Sequence, residues 1–225
     1  MLRVFIGYDS REPVAYHTLA HSILRRSSIP VSITPLVRGQ LGGLYTRPRG
    51  PTESTEFSLT RFLVPALCGY RGWAVFMDCD MLCRADVAEL AAAIDSQRDK
   101  SVIVCKHDYT PNPARKFLNQ VQTAYERKNW SSVMLMNAER CRALTAEYVN
   151  SAPGLDLHRF RWLEDAEIGE LPLEWNWLVT EYAYNPQAKL AHFTRGGPYF
   201  DEYRTCDYAP EWFAEFESLR SVSLR

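Results

Sequence analysis

A strand, a helix and a second strand can be read in the first 36 residues, and this stretch constrains the fold more than any other. "RVFIGYD" (3–9) is an apolar run of strand length that ends in an acid. "EPVAYHTLAHSILRRS" places Val14, Leu19, Ile23 and Leu24 on one helical face, with Pro13 suited to a first turn. "VSITPL" (31–36) is strand-like again. Two strands joined by a crossover helix form a βαβ unit, and that unit requires a parallel sheet.

The pattern continues. "WAVFMD", "SVIVCK" (101–106) and "SSVMLMN" (131–137) read as further strands. "FSLTRFLVPALC", "ADVAELAAAID" from near Asp86, and "AERCRALTAEYVN" read as helices. Gly39 to Thr55 lacks periodicity and reads as a long loop, a class that is usually functional or mobile. After Asn150 the order is irregular and rich in Trp and Pro. No repeat or linker divides the chain, so one α/β domain over 1–225 is expected, with an aromatic C-terminal third. Near its end "PEWFAEFESLRSV" sets Trp212, Phe213, Phe216 and Leu219 on one face. With no basic face for lipid, this helix is expected to pack across the domain.

An apolar share of 46% supports a large core and argues against disorder. A net charge of −1 gives no general attraction to nucleic acid or anionic membrane. No apolar run approaches the roughly 18 residues of a membrane span, and the chain opens on a strand without a charged leader. A soluble, cytoplasmic protein is therefore expected. The cysteines are scattered without a C-x-x-C pair, which favours buried reduced thiols over a zinc site.

Chemistry concentrates where strands end, since ligands of open α/β sheets sit at the carboxyl edge. Asp9 follows "FIGY", and Asp78 and Asp80 follow "WAVFM". Acids there serve either as turn residues or as paired oxygen ligands for one divalent cation. Downstream, "LAHFTRGGPYF" carries His192, Arg195, Gly196 and Gly197. A neutral imidazole suits a borderline ion such as manganese alongside carboxylates; a structural histidine is the alternative. The glycines permit close backbone approach to a phosphate, and Arg195 offers it paired N–H donors.

Matching pieces in one order carry a resemblance: "FIGYD", "SLTRFLVP", "FMDCDMLCRADVAEL", "SSVMLMN", "LPLEWNWL" and "HFTRGGPYF". The chain resembles GT-A-fold nucleotide-sugar glycosyltransferases, the glycosyltransferase family 8 type in particular. The resemblance implies a Rossmann-like, mainly parallel sheet flanked by helices. It also implies transfer of a sugar from a nucleoside-diphosphate sugar, a UDP-sugar first, to a hydroxyl of a glycan or other carbohydrate. It assigns Asp78, Asp80 and His192 to a divalent cation, manganese ahead of magnesium. Tyr8 and Asp9 would hold base and ribose, and Arg61 the donor sugar and diphosphate.

Departures limit the transfer. A Lys usual before the closing Pro is Gly197 here, leaving the phosphate to Arg195. An Asn-Ala-Gly turn by the sugar pocket is replaced by Trp130-Ser131-Ser132, so Trp130 and Ser131 stand as substrate candidates without a sugar preference. The family's Asp-Gln is only partly matched in "WLEDAEIG", where Asp165 is preferred over Glu164 as the acid near the reaction. Trp175 and Asn176 are candidates for the acceptor side. Two rival readings remain: a non-catalytic nucleotide-sugar or carbohydrate binder, and a D-x-D phosphatase, which Leu82 and the late position of the motif disfavour.

Overall fold

The computed structural model describes residues 1–50, 53–108 and 125–221. Its strands are β1 (Leu2–Gly7), β2 (Val31–Leu36), β3 (Trp73–Met77), β4 (Met81–Cys83), β5 (Val102–Cys105), β6 (Val133–Asn137), β7 (Ile168–Leu171), β8 (Trp177–Leu178) and β9 (Leu190–His192). The helices are α1 (Pro13–Arg26), α2 (Val64–Leu67), α3 (Ala88–Ser96), α4 (Ala146–Ser151), α5 (Gly154–His158) and α6 (Ala209–Arg220).

The central sheet runs in the order β2-β1-β3-β6-β5-β7. β1 pairs parallel with both β2 and β3, and β5 pairs parallel with β7; β6 alone runs against its neighbours. The β1–α1–β2 unit is the crossover that the sequence dictates. Val75, Phe76, Val104, Leu135 and their neighbours are fully buried, as expected for strands covered on both faces. Pro35 is tolerated because β2 is an edge strand, where a missing N–H costs no ladder bond. A second sheet, β4-β9-β8, is seated beside the carboxyl end of β3.

Two helix expectations were too long. "FSLTRFLVPALC" forms a 3-10 turn at Thr60–Leu63 followed by the single turn of α2, with Pro65 in its first turn. Pro65 has no N–H to continue a helix begun earlier. "AERCRALTAEYVN" is helical only from Ala146, because the Thr145 hydroxyl accepts from the Tyr148 amide and starts a new helix there. α3 begins beside Asp86, whose carboxylate accepts from the Ala88 amide.

The C-terminal helix packs onto α1 and a second core built around Leu82, Phe193, Tyr208 and Trp212. Trp212 is buried and stacks on Phe216, Phe213 is half-buried, and Leu219 lies outside the contact, 37% exposed. Glu215, also buried, accepts from His21 Nδ1 at 2.5 Å and Arg26 Nη1 at 2.7 Å, fastening α6 to α1. No described helix is long and apolar enough to cross a membrane.

Candidate functional site

Three chain segments meet at the carboxyl end of β3. Asp78 leaves that strand, Asp80 precedes β4, and His192 closes β9. The antiparallel register of β4 and β9 sets Met81 opposite His192, and the Phe193 amide donates to the Asp80 carbonyl at 2.9 Å. The Asp78 amide donates to Ser132 at 2.9 Å. Backbone pairing thus brings one ligand atom from each of Asp78, Asp80 and His192 within 4.8 Å of one another. His192 Nε2 lies 3.5 Å from Asp80 Oδ1 and 3.9 Å from Asp78 Oδ2.

The donor set fits a divalent cation. Asp80 Oδ1 is buried with no hydrogen-bond partner among the described residues, an arrangement that costs free energy unless a cation satisfies it. Asn176 fixes the imidazole. Its Nδ2 donates to the Asn129 carbonyl at 3.0 Å, which turns its Oδ1 toward His192 Nδ1 at 2.8 Å. An amide oxygen only accepts, so Nδ1 donates to it, and Nε2 is the ring nitrogen left facing the two acids. Asn176 is fully buried, so it stands behind the histidine and not against an acceptor as its sequence position suggested. Asn176→Leu is expected to weaken manganese binding about 10–100-fold, read by calorimetry. Unchanged affinity would show that the histidine is oriented without it.

Arg61 is buried. Its Nη1 meets Asp78 Oδ1 at 2.7 Å and donates to the Ser131 carbonyl at 2.8 Å. Its Nε reaches the Phe57 and Ser58 carbonyls, and the guanidinium lies over Phe76, 4.9 Å from the ring centre.

Other expected groups are placed differently from one another. Tyr8 is half-buried at the same sheet edge as Asp78, edge-on to Tyr16. Asp9 is fully buried and turned inward: Arg11 Nε and Nη2 donate to it at 2.8 and 2.5 Å, and the Glu56 amide at 3.1 Å. Burial pushes the Asp9 carboxyl upward, but these hydrogen bonds outweigh it and hold the group below the usual carboxylate range. Its carboxylate organises the turn after β1 and is not displayed toward a ribose.

Beyond β9, Arg195 Nε donates to Glu181 at 3.0 Å. Its Nη2, and the hydroxyl of Thr194, are buried without partners among the described residues, so donors beside His192 await an acceptor. A Cβ on Gly196 would fall 2.5 Å from the Tyr203 ring, and one on Gly197 only 2.1 Å from Tyr199. The pair of glycines is required by those two rings, whatever else approaches it.

Tyr199 leads to an acid that the sequence did not single out. Its hydroxyl donates to Glu12 Oε2 at 2.5 Å. Burial, with the charge of Asp80 adding, pushes the Glu12 carboxyl up to about 8 against the lowering effect of the Tyr199 bond. An acid beginning a helix ordinarily signals dipole stabilisation, so nothing local marks Glu12 as buried. His107 was missed as well: burial, then the nearby His192, pull its pKa down to about 3. Its Nδ1 is hydrogen-bonded to the Tyr182 hydroxyl at 2.8 Å.

Asp165 and Glu164 are not brought to the cluster. Both precede β7, which runs in the direction of β3, whereas Asp78 follows β3. Asp165 is 86% exposed and pairs with Arg127, and Glu164 caps its turn reciprocally with Glu167. Trp175 is buried in the core. Trp130 is half-buried, donates to the His107 carbonyl at 3.0 Å and lies under Arg127.

A cavity of about 820 Å³ opens beside Asp78 and Arg61, within the roughly 300–1,000 Å³ typical of ligand sites. Ser131 and His158 meet in its wall, Oγ to Nδ1 at 2.8 Å. Arg47 and Glu53 from the long loop and Lys128 also line it.

No protein-family model matches the chain. It is 50% identical to Protein CDI of Arabidopsis thaliana over 225 residues, covering 96% of this chain and 86% of that protein. Among solved structures it resembles the WbbM bifunctional glycosyltransferase, with a TM-score of 0.65 and 15% identity over 96% of this chain and 49% of that one, so it spans about half of WbbM. The galactosyltransferase LgtC, solved with donor and acceptor sugar analogues, gives a TM-score of 0.62 at 11% identity, covering 99% of this chain and 98% of that one. Mouse xyloside xylosyltransferase 1 gives 0.54 at 12%, over 85% and 97%. The fold is GT-A: α/β with a mostly parallel central sheet. That fold leaves the phosphatase reading without its scaffold.

Proposed function

The chain belongs to the family of the Arabidopsis thaliana Protein CDI, and on that premise and its GT-A fold we propose that it is a metal-dependent glycosyltransferase of the family 8 type. It moves a sugar from a nucleoside-diphosphate sugar, UDP first among them, to a hydroxyl of a carbohydrate acceptor. The observation that carries this reading is the convergence of Asp78, Asp80 and a tautomer-fixed His192 at a strand end beside a large cavity.

The acceptor oxygen bonds to the anomeric carbon as the bond from that carbon to the diphosphate oxygen breaks; the nucleoside diphosphate leaves with the electron pair and takes up the proton that the acceptor hydroxyl gives up. Bound at the Asp-Asp-His cluster, the cation, manganese ahead of magnesium, would offset charge on the departing diphosphate. The chain's own residues hold the surroundings fixed. Arg61 pins Asp78 and Asn176 pins His192, while Arg195 Nη2 and Thr194 Oγ1, buried without hydrogen-bond partners among the described residues, would donate to phosphate oxygens. Tyr8 marks the edge for the nucleoside, and Ser131 the side for the sugar. A reducing, cytoplasmic compartment belongs to the same reading, supported by six free cysteines.

The test is release of UDP from a panel of UDP-sugars, with and without manganese and without acceptor. Slow manganese-dependent release from one sugar is expected. A non-catalytic binder would be stabilised by the donor yet release no UDP, and failure of every UDP-sugar either to bind or to break down would overturn the proposal.

A further inference from the structure

Several polar side chains in the wall of the cavity beside Arg61 are already engaged by the protein itself. Ser58 Oγ meets the Thr55 amide and hydroxyl, each at 3.1 Å, and Ser131 Oγ meets His158. Asn150 Oδ1 accepts from the Thr46 and Arg47 amides at 2.8 and 3.1 Å. Glu53, in the same wall, is different. The Gly50 amide donates to its Oε1 at 2.8 Å, and its own amide donates to the Gly50 carbonyl at 3.2 Å, so a tight turn fixes the carboxylate. The other oxygen, Oε2, is buried with no hydrogen-bond partner among the described residues. A buried acceptor left without a donor is costly, and more so when it is charged. Here that acceptor belongs to the wall of a ligand-sized cavity.

The position of the cavity says which part of a substrate meets Glu53. It touches Asp78 but not Tyr8 or Asp9. If a diphosphate lies at Asp78 with its nucleoside toward Tyr8, what extends into the cavity is on the other side of the diphosphate. That is the transferred sugar, followed by the acceptor. A carboxylate only accepts hydrogen bonds, and it repels a second anion. Its complement in a sugar is therefore a neutral hydroxyl. We propose that Glu53 is a specificity residue that accepts, at Oε2, the hydrogen bond of one hydroxyl of a neutral sugar in this cavity. A sugar lacking that hydroxyl is rejected, because the buried oxygen is then left unpaired. The volume exceeds that of one hexose ring, so the hydroxyl belongs either to the donor sugar or to the terminal sugar of the acceptor. This inference rests on the glycosyltransferase reading.

The full chain with manganese is titrated calorimetrically with UDP, with UDP-glucose and UDP-galactose, and with the monodeoxy derivatives of each sugar. In a second arm, UDP-saturated protein is titrated with maltose and lactose and their monodeoxy derivatives. In one arm, removing one particular hydroxyl is expected to weaken binding at least about tenfold, and the arm identifies the source. Glu53→Gln keeps an oxygen for the Gly50 amide but sets an NH2 group, which cannot accept, in place of Oε2. It should bind the parent sugar as weakly as wild type binds the deoxy form, with less than a threefold difference between the two sugars. UDP affinity should be unchanged, which also reports an intact fold; Glu53→Ala is the parallel variant. A merely structural Glu53 would lower the affinities of parent and deoxy sugars alike. Such a uniform loss overturns this inference alone, as do equal affinities across both wild-type arms with UDP bound, and a deoxy penalty that survives both substitutions. The Tyr45 hydroxyl, also buried without a hydrogen-bond partner among the described residues, is the donor within the chain that could compete. Equal losses of stability in Tyr45→Phe and Glu53→Gln, with sugar affinities unchanged, would assign Oε2 to Tyr45 and overturn the inference too. Absence of UDP binding overturns the glycosyltransferase reading and this inference with it.

Discussion

Asp80→Ala loses sugar transfer by at least about a thousandfold, roughly 4 kcal/mol at 1.4 kcal/mol per decade, while its melting temperature is unchanged or raised. The two halves of this result have one cause. Asp80 Oδ1 is buried without a hydrogen-bond partner among the described residues, close to a second carboxylate on Asp78 and to the charge-sensitive Glu12. Removing an acid from such a cluster relieves repulsion between carboxylates, yet it deletes a ligand that the cation needs. Manganese should bind wild type weakly alone and tightly with UDP, because the phosphates complete its coordination. A ligand at 100 times its dissociation constant stabilises the folded state by about 2.7 kcal/mol. That stabilisation should be absent from Asp80→Ala. Calorimetric titration of manganese into both proteins, with and without UDP, decides the matter. Equal manganese affinity with UDP present would falsify the metal role and return the pair to an ordinary turn.

The sequence makes the scaffold readable because its central strands are apolar runs, two of which, β1 and β3, are followed by acids. Val75 to Met77 is buried throughout, and a buried parallel strand has no polar face to blur its limits. Asp78 and Asp80 are close in the chain, so their convergence needs no tertiary knowledge. His192 is different. It joins them through the β4–β9 pairing, and only its neighbours and the resemblance pointed to it. Asn176 and Glu12 were out of reach in their actual roles, since each acts through burial and one hydrogen bond set by distant segments. Periodicity failed where it ran across a cap, as at Thr145. Glu164 and Asp165 were misplaced for a related reason. Acidity near a strand does not say which end of the strand faces the site, and these two precede β7.

Arg61→Ala is expected to lower folding stability by about 3–5 kcal/mol, the cost of removing one partner from a buried ion pair. A helix-surface arginine, the ordinary alternative for this position in the sequence, would cost less than about 0.5 kcal/mol. It would also leave turnover and donor affinity unchanged. The buried geometry requires losses in stability and in catalysis alike. Loss of the guanidinium leaves Asp78, 12% exposed at its side chain, without its 2.7 Å partner, and deprives the Ser131 and Ser58 carbonyls of a donor. It also opens space over the Phe57 and Phe76 rings. Arg61→Lys keeps the charge but not the fork, so it should fall between the two. Pairing Arg61→Ala with Asp78→Asn separates the causes. If the unpaired carboxylate dominates, the double variant is much more stable than the sum of the single losses. Manganese with UDP should restore part of the stability of Arg61→Ala, because the cation takes over neutralisation of Asp78, and should restore nothing when Asp78 is also changed. Urea unfolding of wild type, the three single variants and the double variant measures all of this. An Arg61→Ala unfolding free energy within about 1 kcal/mol of wild type would mean that the ion pair does not organise the site.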